Sequence, residues 1–356
     1  MVSGIIFDER YLEHQTGSHV ESPERLKAIM ELIEKDGLLL SDSYQLIAPR
    51  PATVDEIKLI HTQDIIDRAK TKAELAKTNG LQYLDFGDTV VSAASYDVAL
   101  LAAGGLLVAA DKVMDGTISN AFCLVRPPGH HANFGRSSGF CIFNNIAVLA
   151  QYLLEKKGLQ KVAIFDIDLH HGNGTSEIFY DRPDVLFFSS HQDGRTQYPG
   201  SGFIHEIGEG NGKGYNINIP LAPDAGDDVI EKLVKEIVIP IFEQYEPDII
   251  LGSIGGDAHY SDPLSGLTFT TQGYGNLVKQ FKDVAEEYCD GRLILTLEGG
   301  YKVKVLAKSV VNILRVLDNQ EMTHIDKDLK SNAKILDYHE TLGNKLKKHL
   351  RDFWNL

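Results

Sequence analysis

The sequence predicts an α/β protein built on a largely parallel sheet with helices on both faces. Three observations carry this. Short, continuous, β-branched apolar runs recur along the chain, helical patterns separate several of them, and four of them end abruptly in polar clusters. Runs without an apolar/polar alternation belong to strands buried on both sides, which is the situation of a parallel sheet between helical layers.

Taken in order, the strand-like runs are 5–7, 44–47, 121–125, 161–165, 185–189, 215–219, 248–254 and 293–297, about eight in all. Helical patterns lie at 24–35, 96–115, 146–157 and 228–245. The longest apolar run, 98–110, is bracketed by Asp97 and Asp111. It is too short to cross a bilayer, which takes about 20 residues, and reads as a buried helix. The first residues lack the basic and apolar pattern of a secretory leader. From 319 onward the chain is more charged, and Leu342, Leu346, Leu350 and Phe353 recur at helical spacing. An amphipathic terminal helix of this kind packs on its own domain or forms a contact between subunits. The expected organisation is one unit over 1–318 with a helical extension over 319–356.

Composition narrows the function. The 356 residues hold 35 Lys and Arg against 50 Asp and Glu, a formal charge of −15. Nucleic-acid binding needs clustered cations, so it is not expected, and neither is adsorption to an anionic membrane. An acidic surface favours cationic ligands. Hydrophobic residues at 43% and charged residues at 24% are in the ordinary globular range. Cys123, Cys141 and Cys289 form no CxxC pair and fit a reducing cytoplasm.

The polar clusters hold the chemistry. Asp166, Asp168 and His170 alternate directly after the 161–165 strand, so they share one face, with His171 on the other. Two carboxylates and an imidazole at a buried strand end need a cation to neutralise them; the bland alternative is a solvated acidic loop. Asp257 follows the 248–254 strand in the same way. Asp168, His170 and Asp257 make a three-ligand O/N site of the catalytic zinc type, and carboxylate-rich ligation also admits Fe(II) or Mn(II). In Arg126-Pro-Pro-Gly-His130-His131, adjacent imidazoles on a stiff loop suit general acid/base work, with Asp166 and Asn173 as candidate partners for their second nitrogens. Either histidine could instead be a ligand or a packed ring. In Leu297-Glu298-Gly299-Gly300-Tyr301, two glycines leave the tyrosine free to reach an oxyanion, although such a tyrosine is often only a packed aromatic. All four clusters follow strands, so they converge on the carboxyl edge of the sheet, where open α/β sheets bind ligands.

These segments, together with Gly139-Phe-Cys-Ile-Phe-Asn-Asn145, resemble the histone deacetylase family in its broad sense, which includes deacetylase-like amidohydrolases and acetylpolyamine amidohydrolases. The similarity runs from about Glu21 to Tyr301. It implies a three-layer α/β/α arginase/deacetylase fold with a central eight-stranded, mostly parallel sheet. It implies Zn2+, with Fe2+ as an alternative, on Asp168, His170 and Asp257, and a structural K+ held by Asp166, Asp168, His170 and Ser189. By this resemblance His130 pairs with Asp166, His131 pairs with Asn173, and Tyr301 polarises the acyl carbonyl. Gly139, Phe140, Tyr198, Leu264 and Asp88 line the substrate tunnel, and Arg25 adjoins an internal acetate cavity. Asp88 could equally be an ordinary loop cap. Asn173, the Phe143-Asn-Asn145 run and Glu298 resemble class II members.

The implied activity is removal of acetyl groups from acetyl-lysine in a peptide or protein, or from a small acetylated amine. There are departures from the family pattern. Gly256 stands where many relatives carry Phe and is expected to open that wall, and Tyr198 puts a hydroxyl at the rim. Leu264 occupies the place of the acidic gatekeeper of polyamine-selective relatives, which favours acetyl-lysine. Alternatives are an acetylpolyamine amidohydrolase, a binuclear manganese ureohydrolase suggested by Asp257-Ala-His259, and a non-catalytic acyl-lysine binding module. The glycine-rich 208–214 stretch lacks nucleotide-binding spacing and reads as a flexible surface loop. A homo-oligomer is an open expectation.

Overall fold

The computed structural model describes residues 2–84 and 87–356. Among the described residues ten strands form: β1 (Ser3–Ile6), β2 (Tyr44–Ile47), β3 (Gln82–Leu84), β4 (Thr89–Val91), β5 (Asn120–Cys123), β6 (Val162–Asp166), β7 (Val185–Gln192), β8 (Asn216–Leu221), β9 (Ile249–Ile254) and β10 (Leu293–Leu297). Eight of them make one sheet in the order β2-β1-β5-β10-β9-β6-β7-β8, every neighbouring pair parallel. These are the eight runs that the sequence marks as strands. The β3–β4 hairpin is a separate antiparallel pair of three-residue strands, too short to leave a pattern.

Helices flank the sheet. Ser95–Met114 and Asn145–Lys157 pack on each other and on the strands, while Glu24–Lys35, Val303–Leu317, Thr271–Tyr288 and Ile239–Tyr245 lie side by side in a second layer. The 228–245 pattern is one helical stretch with an interruption. Asp227–Leu233 and Ile239–Tyr245 are α-helical, and Val234–Val238 widens into a π-turn. Pro240 has no N–H and crowds the carbonyl four residues back, so the wider turn is a local accommodation.

The final helix, Ala333–Leu350, buries Leu342, Leu346 and Leu350 against the 227–238 helix. Its apolar stripe ends on buried Trp354, with Phe353 exposed. The Trp354 indole N–H donates to Gly214 O at 2.7 Å. The 208–214 stretch is therefore not a free loop. Gly212 and Gly214 are buried, and a Cβ on Gly212 would lie 2.4 Å from the backbone nitrogen of Arg182.

Strand order positions the site. The four strands followed by polar clusters are β5, β10, β9 and β6, and they are adjacent at the centre of the sheet. Their ends are level: Cys123 pairs with Thr296, Leu297 with Ile254, and Ser253 with Asp166. Four segments spread between Arg126 and Tyr301 therefore meet along one edge because their strands are neighbours. Among the described residues, no helix is long and apolar enough to cross a membrane.

Candidate active site

Asp168, His170 and Asp257 are buried, and one ligand atom from each lies within 4.8 Å of the others. His170 Nδ1 is 3.1 Å from Asp168 Oδ1 and 3.2 Å from Asp257 Oδ2. Backbone amides orient the carboxylates: His170 N donates to Asp168 Oδ1 at 2.8 Å, Gly299 N to Asp168 Oδ2 at 2.9 Å, and Leu169 N to Asp257 Oδ1 at 3.0 Å. Asp257 Oδ2 is buried without a hydrogen-bond partner. Glycines make the room. A Cβ on Gly255 would come 2.0 Å from Asp168 Oδ2, and one on Gly299 would come 2.3 Å from Asp257 Oδ2.

Charge in this cluster does not close within the chain. Burial and the Asp168 charge push Asp257 upward. Burial opposes ionisation of Asp168 too, but His130 and His170 outweigh it and hold that carboxyl low. Two carboxylates face one imidazole, and one oxygen is orphaned. A divalent cation fits this donor set of oxygen and nitrogen; zinc suits it, and Fe(II) is compatible.

The paired histidines sit beside it, with ring centroids 4.0 Å apart. His130 Nδ1 meets Asp166 Oδ2 at 2.9 Å, and His131 Nδ1 meets Asn173 Oδ1 at 2.7 Å. The two rings differ electrostatically. Burial lowers His130, but Asp166 and Asp168 outweigh it and raise the group to about 10. His131 has no carboxylate partner on its ring nitrogens, so burial and the charges of His130 and His170 push it well below its ordinary value. An amide oxygen only accepts, so His131 carries its proton on Nδ1 and leaves Nε2 as a lone pair. His171 turns away, with its ring against His191 at 4.7 Å and Nδ1 bonded to Ser201 Oγ at 2.9 Å. Ser189 lies opposite Asp166 in register, and its hydroxyl bonds to His191 Nδ1 at 2.9 Å.

Tyr301 is held in a turn gripped from several sides. Arg25 donates to Gly300 O at 2.7 Å and also to Glu298 O, and its guanidinium carbon lies 5.3 Å from the Tyr301 ring centroid. Burial and the Asp257 charge push the phenol well above its ordinary value, so it stays a donor. Tyr301 lines a cavity of about 270 Å3 together with His130, His131 and His170. Asp88, Gly139, Phe140, Tyr198 and Leu264 line the same cavity. Phe140 has φ of 70°, a left-handed conformation costly for a bulky residue, and it stands edge-on to Tyr301 at 5.9 Å. Gly139 passes so close that a Cβ would lie 2.3 Å from the His131 ring. Asp88 Oδ2 accepts the Gly139 N–H at 3.2 Å, so this carboxylate already ties the tunnel loop.

Gly256 does not open the wall. A Cβ there would sit 2.6 Å from Leu306 Cδ1, and one on Gly300 would sit 2.9 Å from Gly256 Cα. The volume that a larger side chain would use is filled by Leu306 from the Val303–Leu317 helix.

The roles of three supporting groups escape sequence reasoning. Glu298 Oε2 accepts the amides of Gly129 at 2.7 Å and His130 at 3.2 Å, fixing the histidine loop, while its Oε1 accepts from Ser253 Oγ at 3.0 Å. Glu21 binds both Arg25 and Arg126. Asp262 accepts the backbone amides of Tyr301, Lys302 and Leu264. Glu298 carries the signal used for Asp166, an acid immediately after a buried strand. Nothing local marks the pairing of Glu21 with Arg126.

Comparison with known proteins follows the same lines. A histone deacetylase domain model matches residues 19–317. A probable deacetylase of Archaeoglobus fulgidus is 41% identical over 305 residues, covering 85% of this chain and 82% of the relative. A histone deacetylase-like amidohydrolase of Pseudomonas aeruginosa is 36% identical over 283 residues, covering 80% and 72%. The crystal structure of the HDA15 HD domain superimposes with a TM-score of 0.89 at 31% identity, covering 99% of this chain and 97% of that one. The chain therefore belongs to the histone deacetylase family and is a hydrolase acting on amide bonds.

Proposed function

We propose that this protein is a zinc-dependent deacetylase acting on N-ε-acetyl-lysine or a similar acylated amine. The observation that carries this is the cluster of Asp168, His170 and Asp257, with Asp257 Oδ2 lacking a hydrogen-bond partner and His170 lining the cavity that His131 and Tyr301 also line. A divalent ion held by those three residues would act as a Lewis acid on the acyl carbonyl and bring the pKa of a water toward ~7. Tyr301 donates its phenolic hydrogen to the acyl oxygen as negative charge develops there. His131, fixed through Nδ1 by Asn173, takes the water's proton at Nε2 and returns it to the departing amine. His130, ion-paired with Asp166, supplies fixed positive charge beside the reacting centre. Asp166, Asp168, His170 and Ser189 are the candidate holders of a structural K+.

The tunnel wall favours a neutral acyl-lysine stem. Leu264 offers no charge for a second ammonium, while Phe140 and Tyr198 line the cavity with aromatic rings that suit an aliphatic chain. The ureohydrolase alternative loses support because its second set of ligands is otherwise engaged. His259 bonds Ser261 and Asp326, and Asp262 bonds backbone amides. On this reading 1–318 is the catalytic unit and 319–356 an extension, and three unpaired buried thiols suit a reducing compartment such as the cytoplasm.

The test is parallel turnover of an acetyl-lysine peptide and an acetylated polyamine by the zinc-loaded protein. The peptide is expected to be cleaved faster, with Tyr301→Phe lowering kcat ~10²-fold. Zinc binding without cleavage of either substrate would sink the deacetylase reading. A clear preference for the polyamine would overturn the argument from Leu264.

A further inference from the structure

We infer that Asp262 is a positioning residue that ties the Tyr301 turn to the neighbouring Leu264 segment of the tunnel wall; this rests on the role proposed above for Tyr301. Asp262 is only 5% exposed and lies in the loop after β9. Its Oδ2 accepts the backbone N–H of Tyr301 at 2.6 Å and of Lys302 at 2.9 Å. Its Oδ1 accepts the backbone N–H of Leu264 at 3.0 Å. Tyr301 and Leu264 line the same cavity, so one carboxylate fixes both.

The turn needs an external hold. Gly299 and Gly300 precede Tyr301, and Gly300 has φ of 116°, so the local backbone has little preference of its own. Arg25 takes the carbonyl side of the turn and Asp262 takes the N–H side. The Val303–Leu317 helix begins directly after it with Lys302 at the cap, and that side chain makes no capping bond. A lysine ammonium has no acceptor to offer. Asp262 takes the N–H groups of Tyr301 and Lys302 directly before the helix, with the charge sign that a helix N-terminus favours.

The atom count makes the assignment testable. Three amide donors occupy two carboxylate oxygens. An asparagine keeps one acceptor oxygen and puts an NH2 where the other stood, so it must release either the tyrosine turn or the Leu264 wall. A displacement of about 1 Å at the tyrosine hydroxyl costs rate without removing substrate contacts.

The experiment is a double-mutant cycle of Asp262→Asn and Tyr301→Phe in the zinc-loaded enzyme, with hydrogen exchange of the 298–305 segment in the metal-free protein. Asp262→Asn is expected to lower kcat ~10-fold or more while KM stays within about twofold. In the Tyr301→Phe background it should cost less than about twofold, because the tyrosine through which it acts is already disabled. Amide exchange at 301–302 should quicken without metal. An Asp262→Asn loss that persists in full beside Tyr301→Phe, or an unchanged kcat, overturns the inference. A Tyr301→Phe enzyme with wild-type kcat is a different failure, since it removes the tyrosine reading itself. Should Asp262→Asn not fold by circular dichroism, Asp262→Ser keeps one acceptor oxygen and carries the same cycle.

Discussion

Two buried charge clusters lie at the carboxyl edge of the sheet, and they are built on opposite plans. In the first, Glu21 is enclosed by Arg25 and Arg126, all essentially inaccessible to solvent. Arg126 Nε reaches Glu21 Oε1 at 2.5 Å and a second Arg126 nitrogen reaches Oε2 at 2.8 Å, while Arg25 adds a bond at 3.0 Å. Further guanidinium N–H groups go to the carbonyls of Tyr11, His14, Gly300 and Glu298. Both carboxylate oxygens are satisfied. In the second, Asp168 and Asp257 share one imidazole, and Asp257 Oδ2 has that ring nitrogen 3.2 Å away but no hydrogen-bond partner. Buried charge is tolerated only when paired. The first cluster completes its hydrogen bonds inside the chain, with backbone carbonyls taking the N–H groups that one carboxylate cannot, as a structural joint does. The second leaves it for a cation from outside, as a catalytic site does.

The sharpest way to break this contrast is Asp257→Asn. Turnover should fall by about 10³-fold or more, since metal catalysis is worth several kcal/mol. In the chelated protein the same change should raise the thermal midpoint, because it removes an unneutralised buried charge. A lower midpoint in calorimetry would mean that the second cluster is already satisfied, and the contrast would fail.

Glu21→Gln probes the other side. It strands two buried guanidinium groups and should cost ~3–5 kcal/mol in urea unfolding. Burial opposes ionisation of Glu21, but Arg126 and Arg25 outweigh it and hold the carboxyl at about 2. A folded pKa below the unfolded one gives stability that is present above about pH 4.5 and is lost as pH falls through about 2. The acid loss from this group is about 3 kcal/mol, and the variant should lack it. An unchanged urea midpoint in Glu21→Gln would show that the ion cluster carries no net stability. The smallest effect is expected at the rim, where Tyr198 is 42% exposed and belongs to neither cluster. Tyr198→Phe should change stability by less than about 0.5 kcal/mol. A larger change in urea unfolding would extend one of the clusters to the rim.

The contrast also explains what sequence could reveal. Most of the sheet strands were legible as apolar runs, although β2 carries Gln45 and β8 carries Asn216 and Asn218, and Asp166 and Asp257 were legible because a charge follows such a run at once or after two glycines. The helix over Thr271–Tyr288 was not marked, since its buried face includes Gly273, Gly275 and Lys282 beside the apolar positions. Glu21 and Arg126 lie 105 positions apart and meet only through the fold. Gly256 misled because an absent side chain was equated with open space, whereas Leu306 fills it. Asp262 hid in the same way, since its partners are backbone amides, which are the same at every position of a sequence.

The strand order bears on synthesis as well as on chemistry. β5 and β6 leave the ribosome early, yet β9 and β10, made more than eighty residues later, stand between them. Until those arrive, each half of the sheet presents an open inner edge of buried-type strand, the exposure that invites mispairing with other chains. On the proposed mechanism the amide-cleaving centre needs Asp257 and Tyr301, so it cannot form on a nascent fragment. A chain truncated before β10 is thus both inactive and sticky, and the order of the strands makes completion of the polypeptide a condition of hydrolysis.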